Sequence, residues 1–415
     1  MRIAGALLLL LPLAPGDSVV TAGLKWLARH QSDDGSWGDP KEGCACYASP
    51  KAAAAAKPPA LDAAVAARLI ASLGADDPEE RERATLDLKA LGAAAVPALE
   101  RASASDDFEV RSRATLLLLH AKQRDPRARV SGTSLALLAF LGAGYSHLSK
   151  ESFDGLCFGT CVKRALQWLL KQQDPDGFIG TGTEHALAAL ALSEAYGLTS
   201  SQILKEPAQR AVTALVTQQR DRGWSANGRG DPDTVSTTWA VMALKSAEIS
   251  GLEFPRAAYE GALAWCDEVT GDDNRVGLRK KGDFDGKSRD VATSCATLAR
   301  IFITRTKQDP RLVGGAEIIA KDFPTEKDLD VVHLYFTSLA LFQWDGPGGA
   351  QWKTWLEAQK TAGLPSQLAA EGCDRGSWAP GSASMMPEWS RVHATALMTL
   401  SFEIYYAYDN VFKPK

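Results

Sequence analysis

Apolar positions recur along this chain at helical spacing, in blocks that come in pairs. The first block of a pair ends in a Gln and a short turn; the second follows at once. The block around Leu24, Trp26 and Leu27 leads to Gln31, Asp34, Gly35 and Trp37, and the block Leu166 to Leu170 leads to Gln173, Asp176, Gly177 and Phe178. Leu215 and Val216 lead likewise to Gln219, Gly223 and Trp224. A degenerate copy carries Trp355, Leu356 and Gln359, then Gly376, Ser377 and Trp378. Apolar runs of the second kind cover Glu184 to Tyr196, Thr234 to Ala247, Asp290 to Thr304, Asp330 to Phe342 and Arg391 to Tyr406. Spacing of 3 and 4 between apolar residues predicts helices. Gly177 and Gly223 stand 46 positions apart, the period of a helix-pair repeat. Counting Ser131 to Leu141 as the second helix of the first pair and Arg311 to Ala320 as the first of the fifth gives about six pairs.

The physical reading of the turn is structural. Its aromatic packs on the preceding helix end, while the Gln amide satisfies backbone groups left without partners there. A long stretch separates Trp37 from Ser131, where the other pairs use a short turn, and this marks an insertion. Lys51 to Pro59 is Ala-rich and Pro-ended, a linker composition. From Leu61 to Lys122 the pattern changes, with Asp76-Asp77, Arg81, Gly92-Ala93-Ala94-Ala95-Val96-Pro97-Ala98-Leu99 and Val110-Arg111. Pro97 falls where a helix start tolerates a missing N–H.

The Gln…Gly-x-Trp unit, from Gln31 to Trp37 and from Gln219 to Trp224, resembles the QW motif of the prenyltransferase and squalene oxidase repeat superfamily. That superfamily includes squalene cyclases and the β subunits of protein prenyltransferases. The stretches Asp233 to Ala247 and Arg391 to Leu397 look most like its uncharacterised bacterial branch, and the segment around Pro97 resembles HEAT repeats. The resemblance implies an all-α fold, an (α/α)6 toroid of about six helix pairs, with a small HEAT-like α insertion. The implied layout is a signal peptide over 1–16, the toroid over 17–50 and 126–415, and the linker plus insertion over 51–125.

Composition is that of an ordinary globular protein, 45% apolar and 23% charged. A net charge of −4 and a pI near 6.0 give no electrostatic support to nucleic-acid binding. Arg2, an apolar run from Ile3 to Leu13 and small residues at Ala14 and Gly16 fit a secretory signal, so export is expected. No other run approaches the roughly 18 apolar residues of a membrane span. Seven cysteines include the close pairs Cys44/Cys46 and Cys157/Cys161, and the odd count leaves at least one unpaired in a monomer. Neither Cys-x-x-Cys nor His-x-x-x-His is present, so no metal and no cofactor are expected.

Candidate chemistry, on the resemblance, lies at the N-terminal ends of the second helices. Asp231 and Asp233 stand where the cyclases carry the Asp-x-Asp-Asp motif that protonates an isoprenoid, but Thr234 replaces the last carboxylate. Asp233 before a helix is also an ordinary N-cap. The zinc-binding Asp-x-Cys of the prenyltransferases is matched neither by Asp290 and Cys295 nor by Asp154 and Cys157; Glu371, Cys373 and His393 come nearest. The thioester motif of complement-type toroids is absent. His185, Trp239, His333, Tyr335 and His393 are expected to line a cavity, where aromatic faces suit an apolar or cationic guest. The leading expectation is binding of an apolar, isoprenoid-like ligand or a protein partner without catalysis. Alternatives are a class II-type cyclase using Asp233, and an interaction module acting through the HEAT-like insertion.

Overall fold

The computed structural model describes residues 18–38, 63–75, 77–91, 95–122, 126–228, 230–284, 289–379, 390–407 and 412. The expected signal peptide and the linker at Lys51 to Pro59 lie outside them, as do Cys44 and Cys46. The fold is all-α. The described residues form sixteen helices and one two-stranded hairpin. The chain divides into two compact units, 1–41 with 127–415, and 42–126.

In the larger unit, first helices are α1 (Val19–Arg29), α7 (Phe158–Gln172), α9 (Gln202–Thr217), α11 (Ala257–Glu268), α13 (Pro310–Ile319) and α15 (Ala350–Gly363). Second helices are α6 (Pro126–Gly142), α8 (Thr183–Thr199), α10 (Thr234–Ile249), α12 (Val291–Thr304), α14 (Val331–Asp345) and α16 (Arg391–Ala407). The two sets differ as their patterns require. First helices keep a polar face, whereas second helices are buried nearly all round; in α12 every residue from Val291 to Ile303 is buried. Consecutive second helices from α8 to α16 pack on one another, and α16 also packs on α1. Between α6 and α7, β1 (Ser152–Phe153) and β2 (Leu156–Cys157) pair across Asp154-Gly155, both at positive φ.

The turn between first and second helix is built from recurring hydrogen bonds. The Gln amide donates once to its own turn and once to the first helix of the next pair. Gln31 Nε2 reaches Gly35 O and Cys161 O of α7, both at 2.9 Å; Gln173 reaches Gly177 O at 3.1 Å and Pro207 O of α9 at 2.9 Å. Gln219 reaches Arg222 O at 3.0 Å and Ala258 O of α11 at 2.9 Å. Two positions after the turn residue at positive φ, a buried side chain plugs the gap: Trp37, Ile179, Trp224, Val276 and Trp378. Indole N–H groups of the Trp plugs bond carbonyls in the last turn of the preceding helix, at Leu27, Leu215 and Gly363, over 2.8, 2.7 and 3.0 Å. The plug's own N–H donates to a side chain of the second helix: Thr133, His185, Thr237, Thr293 or Thr395.

Three assignments differ from the sequence reading. Ile179, not Phe178, is the plug of the second turn; Phe178 is only half-buried, because the register is set by the residue at positive φ, Gly177, and not by aromaticity. Arg222 (φ 77°), not Gly223, occupies that left-handed position in the third turn. In the last turn the stitching amide belongs to Gln367, which donates to Gly376 O and Val19 O at 2.9 Å each, so the last pair is tied to α1. Gln359 is buried inside α15, where its amide donates to Ser401 O.

Glycine is required where the turn meets the next helix. A Cβ on Gly35, Gly177 or Gly376 would stand 2.5, 2.6 or 2.4 Å from the backbone carbonyl of Arg164, Arg210 or Ala22. These residues lie on α7, α9 and α1.

The smaller unit holds α2 (Ala63–Ser72), α3 (Pro78–Leu91), α4 (Val96–Ala102) and α5 (Phe108–Lys122), around Leu73, Leu88, Leu99 and Ala114. Its two helix pairs superpose in sequence on a shift of 30 positions, Asp77 on Asp107 and Arg81 on Arg111. Each Arg reaches back to the loop inside its pair, Arg81 to Ala75 O at 2.6 Å and Arg111 to Ser105 O at 2.5 Å.

Gln31→Met leaves two buried carbonyls without this partner and is expected to cost about 2–4 kcal/mol. Gly177→Ala, strained and blocked by α9, is expected to cost roughly 3 kcal/mol or more, against about 1 kcal/mol for Gly144→Ala. Gly144 also has positive φ, but open space around it. Urea unfolding of the three variants checks this; equal losses at the two glycines would show that the turn is not seated on α9.

Candidate functional site

The N-terminal ends of the second helices collect the buried polar groups of the larger unit. A helix start has four N–H groups without intrahelical partners, and inside a core they need protein acceptors. Asp233, Asp290 and Asp330 supply them to α10, α12 and α14. Asp233 Oδ1 accepts from Ser236 N at 2.8 Å, and Oδ2 from Ser236 Oγ at 2.7 Å and Ala226 N at 3.2 Å. Asp290 Oδ1 accepts from Thr293 N at 3.1 Å while Arg275 holds Oδ2 at 2.7 Å. Asp330 Oδ1 takes the N–H groups of Val332 and His333 at 2.9 and 3.0 Å.

Hydroxyls then tie neighbouring helices together at this level. Thr183 of α8 meets Ser236 of α10 at 2.9 Å, Ser294 of α12 meets Thr337 of α14 at 2.6 Å, and Ser131 of α6 meets His393 of α16 at 2.8 Å.

The expected acid pair is not assembled. Asp231 is exposed and Asp233 buried. Burial pushes the Asp233 carboxyl above its usual range, and its bonds to Ser236 and Ala226 act against that rise. The rise comes from burial and not from Asp231. Thr234 sends its hydroxyl to Gly277 O at 2.8 Å.

The histidines are placed as internal connectors. His185 Nδ1 accepts the Ile179 N–H at 3.1 Å, so Nε2 carries the proton donated to Ala211 O at 3.0 Å. His393 Nδ1 accepts from Ser390 N at 3.2 Å, which makes Nε2 the donor to Ser131. Burial lowers both, His185 to about 4 and His393 to about 3. His333 Nε2 stands 3.1 Å from Asp322 Oδ2. Burial pushes the Asp322 carboxyl up, but His333 and Arg289 outweigh it and hold the group well below the carboxylate range. Cys295 is fully buried, which pushes its thiol well up and leaves it unreactive. Among the described residues no three His, Cys, Asp or Glu converge to hold a metal ion.

Trp239 and Tyr335 were read as separate lining residues, and the structure brings them together. Trp239 of α10 stacks on Tyr335 of α14 at 5.6 Å and meets Phe336 edge-on at 4.8 Å. All three are buried. Helices α10 and α14 are not consecutive, since α12 packs against both, so these rings meet across the series of second helices. The capping roles of Asp290 and Asp330, and the plug N–H acceptors Thr133, Thr237, Thr293 and Thr395, were not among the expectations. Their signal is the recurrence Asp233-x-x-Ser236, Asp290-x-x-Thr293 and Asp330-x-x-His333.

No family model matches this sequence, and no curated protein matches it. In structure it is similar to a chain described as a novel alpha-amylase from Clostridium perfringens. The likeness covers 66% of this chain and 86% of that one, at 11% identity and a TM-score of 0.47. A likeness that distant transfers no activity.

Both buried histidines stay neutral in the fold and would take up protons once unfolded. Stability is therefore complete above their unfolded value near 6.5 and is lost as pH falls from there toward about 4. The expected slope over that window is up to about two protons. His185→Gln and His393→Gln should each remove about one. Urea midpoints measured across pH 4–7 check this, and slopes unchanged in both variants would contradict the placement.

Proposed function

We propose that this protein is a non-catalytic binding scaffold of the squalene-cyclase-like type. Its larger unit is read as an (α/α)6 toroid, closed where Gln367 and Gly376 seat the last pair on α1. It takes an apolar, isoprenoid-like molecule against the aromatic cluster of Trp239, Tyr335 and Phe336.

The observation that carries this reading is the contrast between that cluster and the acid beside it. Three buried aromatic rings from two non-consecutive helices pack into an apolar cluster of the kind a hydrocarbon packs against. Asp233, the buried member of the expected acid pair, has both oxygens committed: Oδ1 caps α10 through Ser236 N, and Oδ2 accepts from Ser236 Oγ and Ala226 N. A general acid needs a proton it can deliver to substrate, and a carboxyl whose two oxygens accept three bonds is poorly placed to deliver one. The smaller unit is read as a HEAT-like insertion. The protein is read as exported, on its N-terminal sequence.

Protein purified from its own host is expected to retain an apolar molecule in native mass spectrometry, or to take up squalene unchanged at one per chain. Trp239→Ala should weaken retention at least about tenfold, a loss of roughly 1.4 kcal/mol, whereas Asp233→Asn should not. Conversion of squalene or a polyprenyl diphosphate to a cyclised product, abolished in Asp233→Asn, would overturn the non-catalytic reading. Retention unaffected by Trp239→Ala would remove the aromatic cluster as the site.

A further inference from the structure

Far along the sequence from that cluster, the end of α1 and the last turn bring a thiol and an imidazole together. His30 caps α1, its backbone N–H bonded to Trp26 O and Leu27 O. Its ring lies stacked on the Trp26 indole at 4.2 Å and 21°, and is almost wholly buried. Nδ1 stands 2.7 Å from Trp26 O. A carbonyl oxygen only accepts, so Nδ1 carries the proton and Nε2 presents its lone pair. That lone pair faces Cys373 Sγ at 3.2 Å.

Cys373 is an exposed residue in the turn that precedes α16. The geometry is held from both sides. Gly376 seats this turn on Ala22 of α1, Gln367 stitches it to Val19, and Arg29 donates to Arg375 O at 3.1 Å. A nucleophile, a base within hydrogen-bond reach and a third group orienting the base are the parts of an activated thiol.

We propose that Cys373 and His30 form a thiol–imidazole couple that makes Cys373 a nucleophile toward small disulfides. His30 Nε2 takes the S–H proton. The thiolate attacks one sulfur of the disulfide, a new S–S bond forms at Cys373 as the old one breaks, and the departing thiolate recovers the proton from His30. The disulfide bond moves and nothing is oxidised overall.

Exchange fits this turn better than acyl transfer. Acyl transfer needs N–H groups free to hold an oxyanion. Here the amides of Arg375, Gly376 and Ser377 are spent on the carbonyls of Gly372, Leu368 and Asp374. Attack on a disulfide develops charge on sulfur alone and needs no such donors.

The test uses the full chain and 4,4′-dithiodipyridine, with labelled sites located by peptide mass mapping. At pH 6.5 an ordinary thiol, with a pKa of about 8.5, is roughly 1% thiolate. Activation worth about two pH units raises that fraction about fiftyfold, and the accompanying fall in nucleophilicity returns roughly tenfold of it. Cys373 is therefore expected to label about fivefold faster at pH 6.5 in the wild type than in His30→Gln, and Cys373→Ser should abolish that fast phase. Equal rates in wild type and His30→Gln would overturn the couple. So would stoichiometric zinc in the purified protein with Cys373 labelling only after chelation, which would make the pair metal ligands. If His30→Gln fails to fold by circular dichroism, the wild-type profile decides. A rate at Cys373 nearly constant from pH 6.5 to 8 supports the couple, and one rising about tenfold per unit overturns it.

Discussion

A primary amide with two N–H groups held in one plane is the interaction on which the larger unit depends. Each stitching Gln spends one N–H on its own turn and the other on the next pair's first helix. Few other side chains combine this reach, two neutral donors and a fixed angle between them: Glu has no donor when ionised, and Lys would bring a charge into the core. The accepting helix carbonyl already serves its own helix and offers its second lone pair, so the stitch costs the helix nothing. The turn must then come within touching distance of that helix, which is why Gly35, Gly177 and Gly376 have no room for a Cβ. The third turn meets the constraint differently. Its loop is one residue shorter between Gln219 and the carbonyl it reaches, and Arg222 takes the left-handed position.

Burying the second helices on nearly every side creates the second constraint. Their first-turn N–H groups cannot reach water, so each start needs a side-chain acceptor, and Asp supplies it at Asp233, Asp290 and Asp330. The same positions look like acid motifs in the sequence, because capping and proton donation both put a carboxylate before a helix. Geometry separates the two, since a capping carboxylate is consumed by the bonds it accepts. Glu403 shows the opposite condition. It is wholly buried in α16 with neither carboxyl oxygen hydrogen-bonded, and a Cβ on Gly142 of α6 would stand 2.4 Å from Oε2. Burial raises that carboxyl well above its usual range, with no hydrogen bond acting against the rise.

The helices were legible because burial imposes period: the second helix expected from Thr234 to Ala247 runs from Thr234 to Ile249, and the first helix expected from Arg311 to Ala320 runs from Pro310 to Ile319. The turn chemistry was only half legible. Periodicity marks where a helix stops, but not which residue after it takes positive φ, and that residue alone sets the plug. Hence Phe178, the conspicuous aromatic, was read in place of Ile179. Gln359 was read in place of Gln367, because the stitch of the last turn lies further beyond the end of its helix, at Gly363, than the stitches of the other turns do. Contacts between distant segments were not legible at all. Nothing in the spacing of Trp239 and Tyr335, or of His30 and Cys373, signals that they meet.

Those two encounters differ in a way that bears on function. Trp239 and Tyr335 meet, buried, between helices whose polar ends are consumed in holding the fold together, so what that region adds is apolar packing. His30 and Cys373 meet at the seam where the last turn is stitched to the first helix. There the stacked indole and the Trp26 carbonyl fix the imidazole, while Cys373 sits in an exposed turn. A repeat built so that each turn clamps the next helix places a rigid, buried base beside an exposed turn residue at little cost, because the clamp is already required. Chemistry proposed at this seam would follow from the same Gln and Gly that seat the last turn on α1, and it needs no opening in the core.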